Sequence, residues 1–366
     1  AYDARFGAVL SSTDQNNVTT TTQYDPLGRV QSVIGPTDTA ALPTISYDYQ
    51  LSSIAPSSTI VQTRIQSGQP DVLTVYAFTD GLGRTIQTRS PSEQPAKQVV
   101  SGAVELDERG LAVKQWAAYP DDFSPSYVPH TLVPNLSTPV AYAYDAVGRL
   151  VKTTGPDGTV SQVSYDDGTT TTLTANQQTR RMADVQGRLI RVEEVVSDTE
   201  HYTTLYEYDA LNNLTQVTDA LGHITRIAYD SLGRKLSMDD PDMGHWEYRY
   251  DAVDNLTGQT DARGVTINFA YDTLNRLIEK SYGIPAGSGI ANPGTVTYRY
   301  DNPAKAFAKS KLTEITDGSG ASDFAYDNLG RLIQESKTVD STTYTIQRRY
   351  DLLGRLTELT YPDTEK

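Results

Sequence analysis

The chain has no cysteine, which excludes disulfides and thiol chemistry and leaves the compartment open, since export does not require disulfides. Histidine is scarce, and His130, His201, His223 and His245 have no metal-ligand spacing. His223 and His245 would lie two strands apart, ~10 Å at ~4.8 Å per strand, too far to share an ion. Basic residues number 31 against 46 acidic ones, and the formal charge of −15 repels nucleic acid and anionic membrane. No segment approaches the ~18 consecutive apolar residues of a membrane span, and the opening AYDARFGAVLSS lacks the pattern of a signal peptide. A start at Ala1 inside a recognisable repeat reads as an excised or processed piece. Gly-x-Ser-x-Gly, a Walker loop and a dinucleotide-binding glycine motif are all missing.

What is abundant is tyrosine, 24 residues against 6 Phe, and it recurs in register. Tyr208-Asp209, Tyr229-Asp230, Tyr250-Asp251 and Tyr271-Asp272 fall at an interval of 21, shared by Tyr144-Asp145 and Tyr165-Asp166. Later copies at Tyr300-Asp301, Tyr326-Asp327 and Tyr350-Asp351 follow at 29, 26 and 24. Weaker copies stand at Tyr2-Asp3, Tyr24-Asp25, Tyr47-Asp48, Thr79-Asp80, Leu106-Asp107 and Ala183-Asp184. Self-similarity at this period means a repeat array of about fifteen units. We read residues 1–366 as one such array, with 141–366 regular and 35–140 diverged. The latter stretch is proline-rich and carries long insertions, of which Tyr119 to Pro139 is the clearest loop. A separate small domain within 35–140 is the alternative.

Each unit predicts a β-hairpin. Before the pair, residues alternate with period two: Trp246, Tyr248 and Tyr250 against Glu247 and Arg249, and Ile267, Phe269 and Tyr271 against Asn268 and Ala270. That is an antiparallel strand with one aromatic face. Tyr142, Tyr144, Tyr206, Tyr208, Tyr229, Tyr298, Tyr300, Tyr326 and Tyr350 extend the face along the chain. Beyond the turn, leucines at Leu150, Leu189, Leu277, Leu332 and Leu356 add a second apolar ladder. The turn opens on Asp25, Asp80, Asp145, Asp209, Asp230, Asp251, Asp272, Asp327 or Asp351. Its fourth position is Gly28, Gly83, Gly148, Gly233, Gly330 or Gly354, replaced elsewhere by Asn212, Asp254 and Asn275. Asp first and Gly fourth suit a type I turn closed at positive φ, and Asn and Asp are the side chains that tolerate that region best. A second turn follows half a repeat later, as at Asp219-Ala220-Leu221-Gly222 and Asp261-Ala262-Arg263-Gly264, with Asp14-Gln15-Asn16-Asn17 an early variant. The fold class is therefore all-β: a long antiparallel sheet of repeated hairpins, too many to lie flat, curling into a shell or tube.

The repeated aspartates suit turn capping better than a calcium ladder, because calcium-binding β-rolls need a much denser glycine-aspartate repeat. Paired carboxylates such as Asp121-Asp122, Glu193-Glu194 and Asp239-Asp240 point to opposite faces of a strand, which argues against a glycosidase pair. The tyrosine ladder reads first as a cross-strand stack, with a wall that contacts sugar or peptide as the alternative, and the two are compatible.

Tyr-Asp-x-x-Gly-Arg-Leu followed by Asp-x-x-Gly at this interval resembles the YD repeats of the Rhs family. That family includes bacterial polymorphic toxins, the cage-forming subunits of insecticidal toxin complexes and the teneurin adhesion proteins. The resemblance covers nearly the whole chain. It implies a spiralling hollow β-shell, which in the toxin members encloses a C-terminal effector. Those members end their shell with a self-cleaving segment marked by Asp-Pro-x-Gly. Here Asp25-Pro26-Leu27-Gly28 fits that short motif but stands at a repeat turn near the start, and YPDTEK closes the chain with no protease core or effector in view. The expected function is a non-enzymatic, bacterial, secreted or surface shell segment without cofactor or metal. Its expected partners are further YD repeats of the same or another chain and a toxin or effector polypeptide. The competing reading is an extracellular or cell-surface adhesion module that contacts glycan or protein, with end-to-end assembly into a tube or filament as one form of it.

Overall fold

The computed structural model describes residues 1–54, 56–175, 177–197 and 199–363. They form thirty-one strands and one short 3-10 turn, His130–Leu132, with every strand ladder antiparallel. Nine strands make one sheet, running in chain order from Ser11–Thr13 to Lys97–Ser101 and ending on Tyr119–Asp122. The other sheet starts from Val104–Leu106 and Ala112–Gln115, passes to Val140–Tyr144, and then takes every later strand in order to Leu356–Thr360. Its strand order can be written as a ring. The registers, however, bond Leu356–Thr360 only to Thr342–Tyr350 and Val104–Leu106 only to Ala112–Gln115. The two end strands make no close contact, so this is a curled sheet with an open seam rather than a barrel closed by hydrogen bonds.

The two sheets are spliced by one bent hairpin. Val100 pairs with Tyr119 and Lys97 with Asp122 in the first sheet, while Val104 pairs with Gln115 and Glu105 with Lys114 in the second. All four pairs share one register, and the Trp116 N–H donates to the Ala103 carbonyl at 3.0 Å between them. Lys97–Leu106 and Ala112–Asp122 are thus the two long arms of a single hairpin, bent near Gly102. One end pairs with Thr85–Pro91 and the other with Val140–Tyr144. The bend holds the main buried apolar cluster, Val100, Ala103, Trp116 and Tyr119, with Val133 and Leu136 from the following insertion packed on it. Here the sequence reading needs correction: Tyr119–Asp122, expected as loop, is a strand with Tyr119 buried. Proline at Pro120 hid it, and the strand tolerates that proline because it lies at the edge of its sheet.

Elsewhere the wall is one sheet thick. A compact monomer of this mass exposes ~14,000 Å², whereas this chain exposes 22109 Å². Along the strands burial alternates, as in Gly244–Tyr250, where Trp246, Tyr248 and Tyr250 are half-buried between exposed neighbours. The wall also returns onto itself. Asn16 exchanges hydrogen bonds with the backbone of Lys309 at 3.0 and 3.4 Å, and Ser310 Oγ donates to Gln15 at 2.6 Å. Further along, the Leu352 N–H donates to the Ile65 carbonyl at 3.0 Å. In both places a hairpin meets the one twenty-five strands earlier in chain order. Counting the bent arms once each leaves twenty-three strands around a winding. At ~4.8 Å apiece these give a circumference of ~110 Å and a width of ~35 Å.

Candidate functional site: the Tyr-Asp-Arg turn

The recurring site is the turn itself, and Asp230–Arg234 shows its construction. The Gly233 N–H donates to the Asp230 carbonyl at 3.0 Å and the Asp230 N–H to the Arg234 carbonyl at 2.9 Å. Gly233 sits at φ 79°, and the ladder slips by one residue between Ala228 and Tyr229. This is a three-residue hairpin loop with a glycine bulge. Asp230 Oδ1 accepts the N–H groups of Leu232 and Arg234, both at 2.9 Å, and Oδ2 accepts Arg234 Nε at 2.6 Å. The same carboxylate geometry recurs at Asp25, Asp80, Asp145, Asp272 and Asp327 with Arg29, Arg84, Arg149, Arg276 and Arg331. At Asp351 the Arg355 N–H and Nε make the corresponding bonds. At Asp209 and Asp251 the side-chain amides of Asn213 and Asn255 replace the arginine, each at 2.9 Å.

Asp80, Asp145, Asp209, Asp230, Asp251 and Asp272 are held below the ordinary carboxylate range. Hydrogen bonds from the Arg84, Arg149, Asn213 and Asn255 side chains dominate at Asp80, Asp145, Asp209 and Asp251. The backbone N–H of Arg234 dominates at Asp230 and that of Arg276 at Asp272. Solvent screens each such pair, so the strength of the device lies in its repetition.

The arginine reaches further than its own turn. Arg234 Nη1 donates to the Asp251 carbonyl at 2.9 Å and to Asp254 Oδ1 at 2.8 Å in the next repeat, and its guanidinium lies over the Tyr250 ring. Arg188 does the same to Asp209, Asn212 and Tyr208. The tyrosine hydroxyl completes the latch by donating to a carbonyl one repeat back: Tyr208 to Leu189, Tyr271 to Leu256, Tyr300 to Leu277, Tyr326 to Leu312 and Tyr350 to Leu332. Asn212, Asp254 and Asn275 stand at φ 69°, 69° and 61°, in the region glycine occupies elsewhere. Their side chains also accept hydrogen bonds from Arg188, Arg234 and Asn255 of the preceding repeat. Neither the arginine nor this second role was singled out from the sequence, although Arg follows Gly in nearly every copy. Gly28, Gly83, Gly148, Gly330 and Gly354 all have positive φ.

Some expected copies differ. Tyr47 and Asp48 lie within strand Ile45–Gln50, and the latch is made two residues on by Tyr49, whose hydroxyl donates to the Val30 carbonyl at 2.9 Å beneath Arg29. Asp166 ends its strand, and a two-residue Asp167-Gly168 turn follows. Asp301 opens a longer loop, where Arg276 bonds it across repeats at 2.6 Å. The predicted aromatic residues Tyr142, Tyr144, Tyr206, Tyr229, Phe269 and Tyr298 are all half-buried, as are Tyr208, Trp246, Tyr248, Tyr250, Tyr271, Tyr300, Tyr326 and Tyr350.

Residues 184–224, 208–242 and 250–288 match the RHS Repeat family. These stretches carry RHS repeats. No curated protein matches it. The fold is similar to the TcdB2-TccC3 crystal structure, at 17% identity and TM-score 0.83, covering 100% of this chain and 23% of that one. It is similar also to TcdB2-TccC3 without its hypervariable C-terminal region, at 16% and 0.84, covering 100% and 25%. The Photorhabdus luminescens Tc holotoxin pore gives 15% and 0.84, again covering 100% and 25%. The chain thus spans about a quarter of the length of these toxin-complex chains. At such identities the likeness is one of fold.

Among the described residues no group of three or more acidic and histidine side chains is placed to hold a metal ion. His223 and His245 are tied separately to Asp219 and Asp239, at 2.8 and 2.7 Å. Asp25 makes the ordinary turn bonds, to the N–H groups of Leu27 and Arg29 at 2.9 Å, despite its Asp-Pro-x-Gly context. Among the described residues no helix is long and apolar enough to cross a membrane.

The turn geometry supports a prediction. A Cβ at Gly233 would meet Asn213 Oδ1 at 3.2 Å, and the backbone is left-handed. Gly233→Asn, the substitution the chain itself makes at Asn212 and Asn275, should be mild. Gly233→Val should cost about 1–3 kcal/mol through backbone strain. Urea denaturation midpoints compare the two, and equal losses would contradict the assignment of a strained position.

Proposed function

We propose that this chain is a non-enzymatic wall segment of a hollow RHS-repeat shell that encloses and protects a toxin or effector polypeptide. The observation that carries the reading is an exposed area of 22109 Å², against ~14,000 Å² for a compact fold, in a wall that meets itself after one winding. Such a structure invests its sheet in surrounding space instead of filling it. With side chains occupying ~5 Å on each side, a ~35 Å winding leaves a lumen of ~25 Å, room for an unfolded or partly folded chain. Half-burial of the tyrosine face is what crowding on the concave side of a curved sheet produces, and it supports placing that face inward. The RHS repeats and the likeness to TcdB2-TccC3 support the same reading, as they do a bacterial, secreted setting.

Protease challenge of the complete gene product tests it. A polypeptide separate from the shell should resist trypsin at neutral pH and become cleavable once acid has opened the turns. Cleavage of everything but the shell at neutral pH would contradict enclosure. A second reading, an extracellular adhesion module, is favoured by one feature. Trp246 and Tyr248 stack at 6.5 Å, and Trp246 borders a cavity of about 260 Å³ lined by Val265, Ile267 and Tyr282, a surface suited to glycan or peptide. Loss of glycan or peptide binding in Trp246→Ala, with the fold intact, would identify that role.

A further inference from the structure

The alternation of turns along a meander puts every Tyr-Asp turn on one rim of the wall and the intervening turns on the other. The third residue of the Tyr-Asp turn is aliphatic in most repeats. Along the open rim it stands in solvent: Leu27 is 69% exposed, Leu82 79%, Leu232 70% and Leu274 68%. Where the last hairpins pass beneath the first ones, the equivalent residue is less exposed. Leu329 falls to 43% beside a groove shared with Ser12, Asn16 and Val18, and Leu353 is half-buried next to the loop after Ile65. The chain therefore contains a working example of what covers this leucine, namely the opposite rim of a neighbouring winding, bonded through Asn16 to Lys309 and Ile65 to Leu352.

We propose that the uncovered stretch of the Tyr-Asp rim docks the opposite rim of a second copy of this chain, continuing the seam the chain makes with itself. Because two different rims meet, the contact is head-to-tail, and further copies can add to either end of the stack. A formal charge of −15 on each copy opposes the approach, so association should strengthen with added salt. The inference concerns how windings stack and is independent of what the shell encloses.

Sedimentation velocity of the purified chain over a concentration series, at low and moderate salt, tests it. The wild type should form oligomers that grow with concentration. The double variant Leu232→Lys, Leu274→Lys should weaken association by roughly tenfold or more, since a charge must be desolvated in the seam. It should do so even though it lowers the net negative charge, which would favour non-specific contact. A thermal melt checks that these exposed positions leave the fold unchanged, and Leu232→Ser, Leu274→Ser repeats the test without added charge. A monomer at all concentrations overturns the proposal. So do oligomers equally strong in the rim variants, because those copies would be pairing through the open strand edges at Ser11–Thr13 or Leu356–Thr360.

Discussion

Acidifying the chain from pH 7 toward pH 2 is expected to unfold it in one steep phase that begins only below about pH 4. The physical cause is the turn aspartate. Its charged form is stabilised in the folded state by the hydrogen bonds of the turn, which depress its pKa. The stability it contributes is therefore present above the unfolded value, ~3.9 for Asp, and is lost as pH falls through the folded value. For two related aspartates the folded values lie at about 2: Asp3, bonded by the Arg5 side chain, and Asp317, bonded by the Ser319 hydroxyl. For Asp3 and Asp317 the window therefore runs from about pH 4 to about pH 2, and for the turn aspartates, lowered in the same direction, the loss begins below about pH 4. No single site dominates, yet the same proton uptake occurs at turn after turn, and the effect accumulates over the array. His245 has the opposite sign. Its pKa is raised first by the Asp239 hydrogen bond, so its small contribution is present at low pH and fades as pH rises through the folded value. Circular dichroism against pH is the measurement. Loss of strand signal already at about pH 5–6, or its full retention at pH 2, would contradict the account.

The second large effect is expected at the splice. Trp116→Ala should cost about 3–5 kcal/mol, the usual penalty for emptying an aromatic site in a packed cluster. Trp116 is buried against Val100, Ala103 and Tyr119, and its ring lies 4.1 Å from that of His130. Beside it Arg89, fully buried, donates to Asp121 at 2.6 Å, to Gln98 at 3.0 Å and to the Asp122 carbonyl at 2.8 Å. The bent hairpin is the structural link between the two sheets, so loosening the bend should expose strands on both sides together. Hydrogen exchange should show Thr85–Pro91 and Val140–Tyr144 losing protection in parallel. A loss below ~1 kcal/mol, or deprotection confined to the 123–139 insertion, would show that the bend does not hold the sheets together.

Much of this was legible in the sequence, and the reasons are physical. Positive φ excludes most side chains, so the Gly, Asn and Asp positions from Gly28 to Gly354 mark the turns without any alignment. Period-two alternation around Tyr248 and Phe269 likewise fixes the strands and their faces. The latch was harder to see, because Arg234 bonds the turn one repeat ahead and Tyr271 a carbonyl one repeat back, and spacing alone does not reveal a partner. Tyr49 was missed because the repeat there is displaced by two residues and a stray Tyr47-Asp48 pair imitates the motif. The splice left least trace. Its burial arises from an insertion folding over a bend, a tertiary event that Trp116 and Tyr119 do not announce locally. The meeting of Ile65 with Leu352 is set by the curvature of the whole sheet and has no local signature.

That meeting is also the most direct test of the central claim, a one-layer wall that winds onto itself. The chain has no cysteine, so the double variant Ile65→Cys, Leu352→Cys carries the only thiols. The backbone hydrogen bond between these residues, 3.0 Å from the Leu352 N–H to the Ile65 carbonyl, brings the two Cα atoms within the ~4–7 Å that a disulfide spans. Under mild oxidation at high dilution the account predicts an intramolecular disulfide, seen as faster migration on a non-reducing gel and reversed by reductant. Persistently free thiols, or cross-linked dimers alone, would mean that the sheet does not return on itself and would contradict the account.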